Sequence, residues 1–275
     1  MDWREFVISF PPEAREPLTA VLFEMGCLGT AEDDGRVTAY FPPETEPDEV
    51  IDVLSAFEGV TVDVRTLKEQ DWYAPYKERL GPYHAAGLLI CPPWKDCTPE
   101  KTERLLVMDP GQAFGAGDHE STCMVLKLMR AWADVQKGLP GRKFLDVGTG
   151  TGILSVAACL FGIGHVTAVD IDPKAVESAA RNLELNHVSD RVRLILGSVG
   201  DAGSGYDLIA ANLFQEPLID IAPDMARALK PRGTLIASGL LDGQEPEFYA
   251  AAMEAGLRFE EELRDGRWVS ARFAA

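Results

Sequence analysis

The chain has 275 residues, of which 46% are apolar, and a formal net charge of −18 at pH 7. This length and apolar content allow one large or two modest domains. The charge disfavours direct nucleic acid binding, because the chain and the phosphates repel each other, and it suits a basic partner or a lysine-bearing substrate. An acidic surface that only keeps the protein in solution explains much of this charge equally well.

Composition also predicts a cytoplasmic protein with reduced cysteines and no metal site. No apolar run reaches the length of a membrane span, and the first residues, MDWREF, lack the pattern of a signal peptide. The five cysteines are odd in number and never spaced C-x-x-C, so we expect reduced, mostly buried thiols. The four histidines are scattered, so we expect no metal ion.

Residues 1–68 are predicted to form a small α+β domain. Trp3–Phe10 is typical of a strand, a helix opens at Pro11, and the dipeptide Asp34–Gly35 predicts a hairpin turn. A second helix over 46–57 and a last strand complete the element order of a ferredoxin-like sandwich. Because this segment contains no cluster of catalytic groups, we expect it to recognise the substrate or to serve as a packing module.

Residues 69–105 are predicted to be an aromatic linker between two domains. The segment is rich in large aromatic side chains, namely Trp72, Tyr73, Tyr76, Tyr83 and Trp94. Clustered aromatics can form a binding surface, although they more often pack the seam between domains. The sequence leaves both interpretations open.

A glycine-rich loop over 108–122, MDPGQAFGAGDHEST, precedes an amphipathic helix. Its glycines allow movement, and five consecutive polar side chains, from Asp118 to Thr122, stand at the start of the helix. A helix cap needs only one of them. We therefore favour a lid that closes over a ligand, with Phe114 covering the ligand, over a plain helix cap.

The segment Lys143–Gly152, KFLDVGTGTG, predicts a nucleotide-binding turn. A short apolar strand leads into Gly148, Gly150 and Gly152, and a helix follows. Such a turn lets the backbone approach a ligand closely and presents the N-terminus of a helix to it. A dinucleotide fingerprint would place the third glycine at position 153, one residue later than here. A glycine-rich turn without a ligand is the plainer alternative.

Beyond this turn the predicted strands and helices alternate, which is typical of a doubly wound α/β sheet. A second buried strand ends at Asp170, eighteen residues after Gly152, where a carboxylate can accept both hydroxyls of a ribose. A fourth strand ends just before Asn212. Two further strands, over 259–263 and 267–273, are predicted to close the sheet as a hairpin.

Taken together, these motifs resemble the PrmA family. The G-x-G-x-G turn behind Asp146 resembles motif I of class I S-adenosylmethionine (SAM) methyltransferases, and AFGAGDHEST and ANLF are more specific to the family. The resemblance runs from about residue 69 to the end of the chain. It implies a class I methyltransferase (Rossmann-like) domain over 106–275, with an antiparallel end to the sheet. It also implies a SAM-dependent protein-lysine N-methyltransferase acting on lysine and N-terminal amines of ribosomal protein L11.

The resemblance further implies which residues form the site. We expect SAM to contact side chains and backbone from the loop, the turn and two strand ends: Phe114, Thr122, Gly148, Gly150, Gly152, Asp170 and Asn212. Asn212 is also the expected catalytic residue, a neutral group that orients the amine. We expect no strong general base, so that water takes the proton.

Three alternatives stay open on the sequence alone. The enzyme could methylate a lysine of another protein, as relatives of the family do. The chain could instead bind SAM and a partner without catalysis, although the intact glycine turn, Asp170 and Asn212 argue against this. Methylation of a small molecule or of RNA is the third alternative, and the net charge of −18 argues against RNA.

Overall fold

The computed structural model describes most of the chain, and its described residues are 3–11, 18, 21–22, 25–27, 29–33, 36–42, 45–57, 59–67, 81–110 and 120–275. The chain divides into two compact units, Met1–Leu80 and Gly81–Ala275. The sequence-based division into 1–68, 69–105 and 106–275 stays a prediction. No helix in the described ranges is long and apolar enough to cross a membrane.

The first unit contains a four-stranded antiparallel sheet in the order β2-β3-β1-β4. Its elements are β1 (Trp3–Ser9), β2 (Gly29–Asp33), β3 (Arg36–Phe41), α1 (Pro47–Leu54) and β4 (Thr61–Leu67). Two residues connect β2 to β3, whose ends pair as Asp33 with Arg36, as expected for the predicted hairpin. Every second residue of β3 is buried, which is typical of a sheet with one covered face.

Helical residues cover that face. Leu18 and Leu22, one turn apart, are buried in the same cluster as Leu54 of α1. Phe6 of β1 packs edge to face against Phe41, with 5.1 Å between the ring centroids. The sheet order matches the predicted ferredoxin-like sandwich. That assignment stays a prediction, because most of the predicted first helix lies outside the described residues.

Part of the predicted linker is folded as a small three-stranded sheet in the second unit. Its strands are β5 (Tyr83–Ala85), β6 (Leu88–Cys91) and β7 (Arg104–Val107). All four residues of β6 are buried, and Ile90 belongs to a large core cluster of this unit. The aromatic crowding of the segment concealed this apolar strand in the sequence. Trp72, Tyr73 and Tyr76 lie outside the described residues.

Two of the cysteines are joined. Cys91 and Cys97 form a disulfide with 6.3 Å between their Cα atoms, so the prediction of reduced thiols is wrong for this pair. Strand β6 ends at Cys91, and the turn that follows brings Cys97 within reach, which the spacing of six residues did not indicate. Cys27 and Cys159 are buried, as predicted, and Cys123 is half-buried.

Seven strands form the main sheet, in the order β10-β9-β8-β11-β12-β14-β13. Their bounds are β8 (Lys143–Val147), β9 (His165–Asp170), β10 (Val192–Leu196), β11 (Tyr206–Asn212), β12 (Leu229–Leu241), β13 (Arg258–Asp265) and β14 (Trp268–Ala274). The first five strands in this order pair in parallel, and β14 pairs antiparallel with both β12 and β13. The predicted α/β class and the antiparallel hairpin are confirmed.

Helices cover both faces of this sheet. They are α2 (Glu120–Val135), α3 (Ile153–Phe161), α4 (Pro173–Leu185), α5 (Val199–Ala202), α6 (Gln215–Ala228) and α7 (Glu245–Glu254). Helices α2 and α3 share one core cluster with β5–β7, and α5, α6 and α7 share another. Phe144 of β8 belongs to the first cluster and Leu145 to the second, as expected for a strand buried between two layers.

The strand order places the predicted site residues at one edge. In the sheet β8 lies between β9 and β11. The chain first adds β9 and β10 on one side of β8, and it later adds β11 to β14 on the other side. At such a switch point the connections diverge and leave a crevice at the carboxyl ends of the strands. The glycine turn, Asp170 and Asn212 all follow or end these three strands, and they therefore meet at this crevice.

Candidate functional site

A cleft of about 290 Å³ opens at the carboxyl ends of β8, β9 and β11. Its walls come from the turn, the strand ends and the helices that follow: Ser121, Gly148, Gly150, Asp170, Asp172, Ala175, Asn212, Leu213, Phe214, Pro217, Gly239 and Trp268. Four predicted site residues thus line one cavity, namely Gly148, Gly150, Asp170 and Asn212. Phe114, with most of the predicted lid, lies outside the described residues.

The glycine turn is shaped by packing as well as by access to the cleft. Gly148, Gly150 and Gly152 have φ values of 68°, 55° and 82°, which side chains with a Cβ adopt with strain. A Cβ at Gly148 would overlap the side chain of Leu213, and one at Gly152 would lie 3.2 Å from Ala179 of α4. Gly152 therefore starts α3 and packs against α4, and it does not line the cleft.

Asp170 is fixed at the cleft by two backbone amides. The Gly150 N–H donates to Oδ2 at 2.9 Å, and the Asp172 N–H donates to Oδ1 at 3.0 Å. An ionised carboxylate oxygen has room for a further donor, so both oxygens can still accept hydroxyl groups. The turn after β8 and the acid at the end of β9 thus hold each other in place.

Asp146 lies buried beneath the turn. The hydroxyls of Thr149 and Ser155 both donate to its Oδ2, at 2.8 and 2.7 Å, and so connect β8 to the turn and to α3. Its Oδ1 has no hydrogen-bond partner in the described part of the chain. Burial raises the pKa of Asp146 to about 6, against the lowering effect of the two hydroxyl bonds.

Asn212 is oriented by a residue of α2. Its Nδ2 donates to the Thr122 hydroxyl at 3.2 Å, so Thr122 is buried behind Asn212 and does not itself line the cleft. The Oδ1 of Asn212 is buried and finds no donor among the residues that the structure describes. A buried carbonyl oxygen without a donor costs free energy, so a ligand that brings an N–H or O–H group is favoured there.

Sequence reasoning missed the apolar wall of the cleft. Leu213, Phe214, Pro217 and Trp268 line it, and the Phe214 side chain is 65% exposed, which is unusual for a phenyl group. The sequence offered ANLF as a motif but no signal that its phenylalanine faces outward. Trp268 belongs to β14, and it reaches the cleft because β14 pairs with β12. That pairing joins residues distant in the sequence, so no local pattern indicated it.

The fold and the cleft define a class of protein. A glycine turn after the first strand, an acid at the end of the second and an antiparallel strand inserted near the far edge characterise the class I SAM-dependent methyltransferases. The chain belongs to the ribosomal protein L11 methyltransferase (PrmA) family, whose family model matches residues 2–275. This membership confirms the predicted family, the methyltransferase activity and SAM as the cofactor.

Individual relatives agree with the family assignment. The ribosomal protein L11 methyltransferase of Pelotomaculum thermopropionicum is 33% identical over 98% of each chain. The corresponding protein of Dictyoglomus thermophilum is 31% identical over 88% of each chain. The crystal structure of the ribosomal protein L11 methylase of Lactobacillus delbrueckii subsp. bulgaricus is 33% identical, with a TM-score of 0.62, and covers 68% of this chain and 94% of that one.

The raised pKa of Asp146 predicts a pH dependence of stability. Its ordinary value is 3.8 and its native value is about 6, so between these values the native state binds more protons than the unfolded state. The free energy of unfolding should therefore fall as the pH rises from about 4 to about 6, by roughly 3 kcal/mol at most. Asp146→Asn should remove this decline in urea unfolding. Asp63→Asn, which changes an exposed carboxylate, should keep it, and equal pH profiles for the two variants would contradict the assignment.

Proposed function

We propose that this enzyme transfers methyl groups from SAM to lysine and N-terminal amines of ribosomal protein L11. The observation that carries the proposal is the buried Oδ1 of Asn212, which lacks a donor among the described residues and suits the N–H of an amine. The choice of L11 is supported by relatives that carry this name and match nearly the whole chain. SAM supplies a methyl group on a sulfonium, which is already activated for transfer.

We assign the cofactor to the cleft at the switch point, because the residues there fit it. Gly148 lines the cleft without a side chain, so its backbone can approach a ligand, and Asp170 has spare acceptor capacity for ribose hydroxyls. Gly150 supports Asp170 through its amide. Phe114 stays in the proposed site as a cover. Thr122 acts through Asn212, and Gly152 acts through the packing of α3.

The reaction requires a neutral amine. A lysine of pKa about 10.4 is neutral in roughly one molecule of 2,500 at pH 7, which corresponds to about 4.6 kcal/mol uphill. The apolar wall of Leu213, Phe214 and Trp268 removes water from an entering amine, which lowers its pKa. Asn212 accepts a hydrogen bond without the negative charge that would favour the ammonium form. We therefore propose positioning by Asn212 and proton loss to water.

Charge supports a protein substrate rather than direct nucleic acid binding. A chain with a net charge of −18 attracts a lysine-bearing partner and repels phosphates. We also propose that the enzyme works in the cytoplasm, because its proposed substrate is a ribosomal protein. The Cys91–Cys97 disulfide is the feature that departs from the usual thiol state of that compartment.

Residues 1–68 are proposed to recognise the protein substrate. The first unit has a core of its own, formed by residues such as Phe6, Leu22 and Phe41, and none of its described residues lines the cleft.

Removal of the first unit tests this role. A chain that starts at Gly81 keeps both core clusters of the second unit and should bind SAM with unchanged affinity in calorimetry. It should methylate L11 poorly, because the recognition surface is absent. Equal rates of methylation for the full and shortened chains would show that the first unit is not needed to recognise the substrate.

The ribose contact is tested by Asp170→Ala. A hydrogen bond to a charged group is worth roughly 1.5–3 kcal/mol, so the Kd for SAM should rise about ten- to a hundredfold in calorimetry. Asp134→Ala, which removes an exposed carboxylate paired with Arg130 on α2, should leave the Kd unchanged. An unchanged Kd in Asp170→Ala would remove Asp170 from the cofactor site.

The amine contact is tested by Asn212→Ala and Asn212→Asp, with L11 and isotope-labelled SAM. Loss of the acceptor in Asn212→Ala should lower kcat by about tenfold or more. Asn212→Asp restores an acceptor but stabilises the ammonium, so its rate should reach the half-maximum at a higher pH than in the native enzyme. Mass spectrometry locates the methyl groups. The absence of label on L11 in the native enzyme would refute the proposed substrate.

A further inference from the structure

Asn182 of α4 and Asn186, which caps the C-terminal end of that helix, hold the chain segment that precedes the glycine-rich loop. The two residues are four positions apart, so their side chains lie on the same side of the helix end. Asn182 is fully buried, and Asn186 is half-buried. A buried amide group must satisfy its donors and its acceptor, so the partners of these side chains show what they hold.

The two amide groups pair with the backbone of Val107–Asp109 as a neighbouring β-strand would. Asn186 accepts from the Val107 N–H at 2.8 Å and donates to the Val107 carbonyl at 2.6 Å. Asn182 accepts from the Asp109 N–H at 2.8 Å and donates to the Asp109 carbonyl at 2.9 Å. Four residues of a helix rise about 6.0 Å, and two residues of an extended chain span about 6.6 Å, so the spacings match.

Asn182 makes one contact that Asn186 does not. Its Nδ2 also donates to the carbonyl of Thr151 at 2.9 Å. Thr151 is fully buried and lies between Gly150 and Gly152 in the glycine turn. The remaining side-chain hydrogen bond of Asn186 goes to the carbonyl of Asn182, at 2.7 Å. Of the two asparagines, only Asn182 connects the segment before the loop to the turn that lines the cleft.

We infer that Asn182 is a positioning residue that fixes the glycine turn in the conformation that receives SAM. The Gly150 amide, which orients Asp170, belongs to the residue directly before Thr151. If the Thr151 carbonyl moves, the Gly150 N–H that orients the Asp170 carboxylate moves with it. Asn182 does not itself line the cleft, so it acts through the backbone. This inference rests on the cofactor site proposed above.

A matched pair of variants in the full chain tests the role. Asn182→Ala and Asn186→Ala each remove the paired hydrogen bonds to one backbone residue of the segment, and both should lower the free energy of unfolding. Only Asn182→Ala also removes the bond to Thr151, so only this variant should raise the Kd for SAM, by about tenfold in calorimetry. Equal Kd values for the two variants would overturn the inference and leave a purely structural clamp.

A second variant keeps the test informative if Asn182→Ala does not fold. Asn182→Asp keeps the size and the acceptor, and burial raises the pKa of the new carboxyl group. The protonated form regains one O–H donor. SAM affinity relative to the native enzyme at the same pH should therefore recover as the pH is lowered. A ratio of the two Kd values that does not change with pH would contradict the positioning role.

Asp170→Ala separates this inference from the proposed cofactor site. Weaker SAM binding in Asp170→Ala, together with equal Kd values for the two asparagine variants, would refute the positioning role alone. Unchanged SAM binding in Asp170→Ala would refute the site itself and, with it, the inference. Weaker binding in both Asp170→Ala and Asn182→Ala, with Asn186→Ala unaffected, is the result expected.

Discussion

The hydrogen bond from the Gly150 amide to the Asp170 carboxylate is the interaction on which the cleft depends. It joins the turn after β8, in which the three glycines have positive φ angles, to the end of β9. Asp146 holds the turn from below through Thr149. Asn182 holds it from α4 through the Thr151 carbonyl. A few polar contacts with one short turn thus shape the cleft to which we assign the cofactor.

Charged and neutral groups have separate tasks in this site. In the proposed site both carboxylate oxygens of Asp170 have room to accept cofactor hydroxyls, and a hydroxyl needs no neutral partner. An amine substrate differs, since a carboxylate beside it would stabilise the unreactive ammonium form. In the proposed mechanism the neutral Asn212 avoids this penalty, and its hydrogen bond to Thr122 leaves its carbonyl oxygen without a donor among the described residues. Asp146 lies under the turn and contacts two hydroxyls. Because burial raises its pKa, ionising this carboxyl group lowers the stability of the folded protein.

Local patterns in the sequence were sufficient for the main sheet and for part of the site. Asp170 and Asn212 could be placed together because the carboxyl ends of parallel strands share one edge. Features that depend on partners distant in the chain could not be predicted. The strand Leu88–Cys91 lay among prolines and aromatics, and Trp268 reaches the cleft only through pairing of β14 with β12. Asn182 was one polar residue in a predicted helix, and its partners lie 31 and 73 positions away.

The order of the last two strands has a consequence for biosynthesis. Strand β13 is made before β14, yet in the sheet it pairs with β14, which lies between β13 and β12. During synthesis β13 emerges from the ribosome before β14, the strand with which it pairs, so its edge stays unpaired until β14 has been made. Trp268, at the start of β14, then completes the cleft wall. A chain that stops before β14 therefore lacks the part of the cleft wall that Trp268 forms.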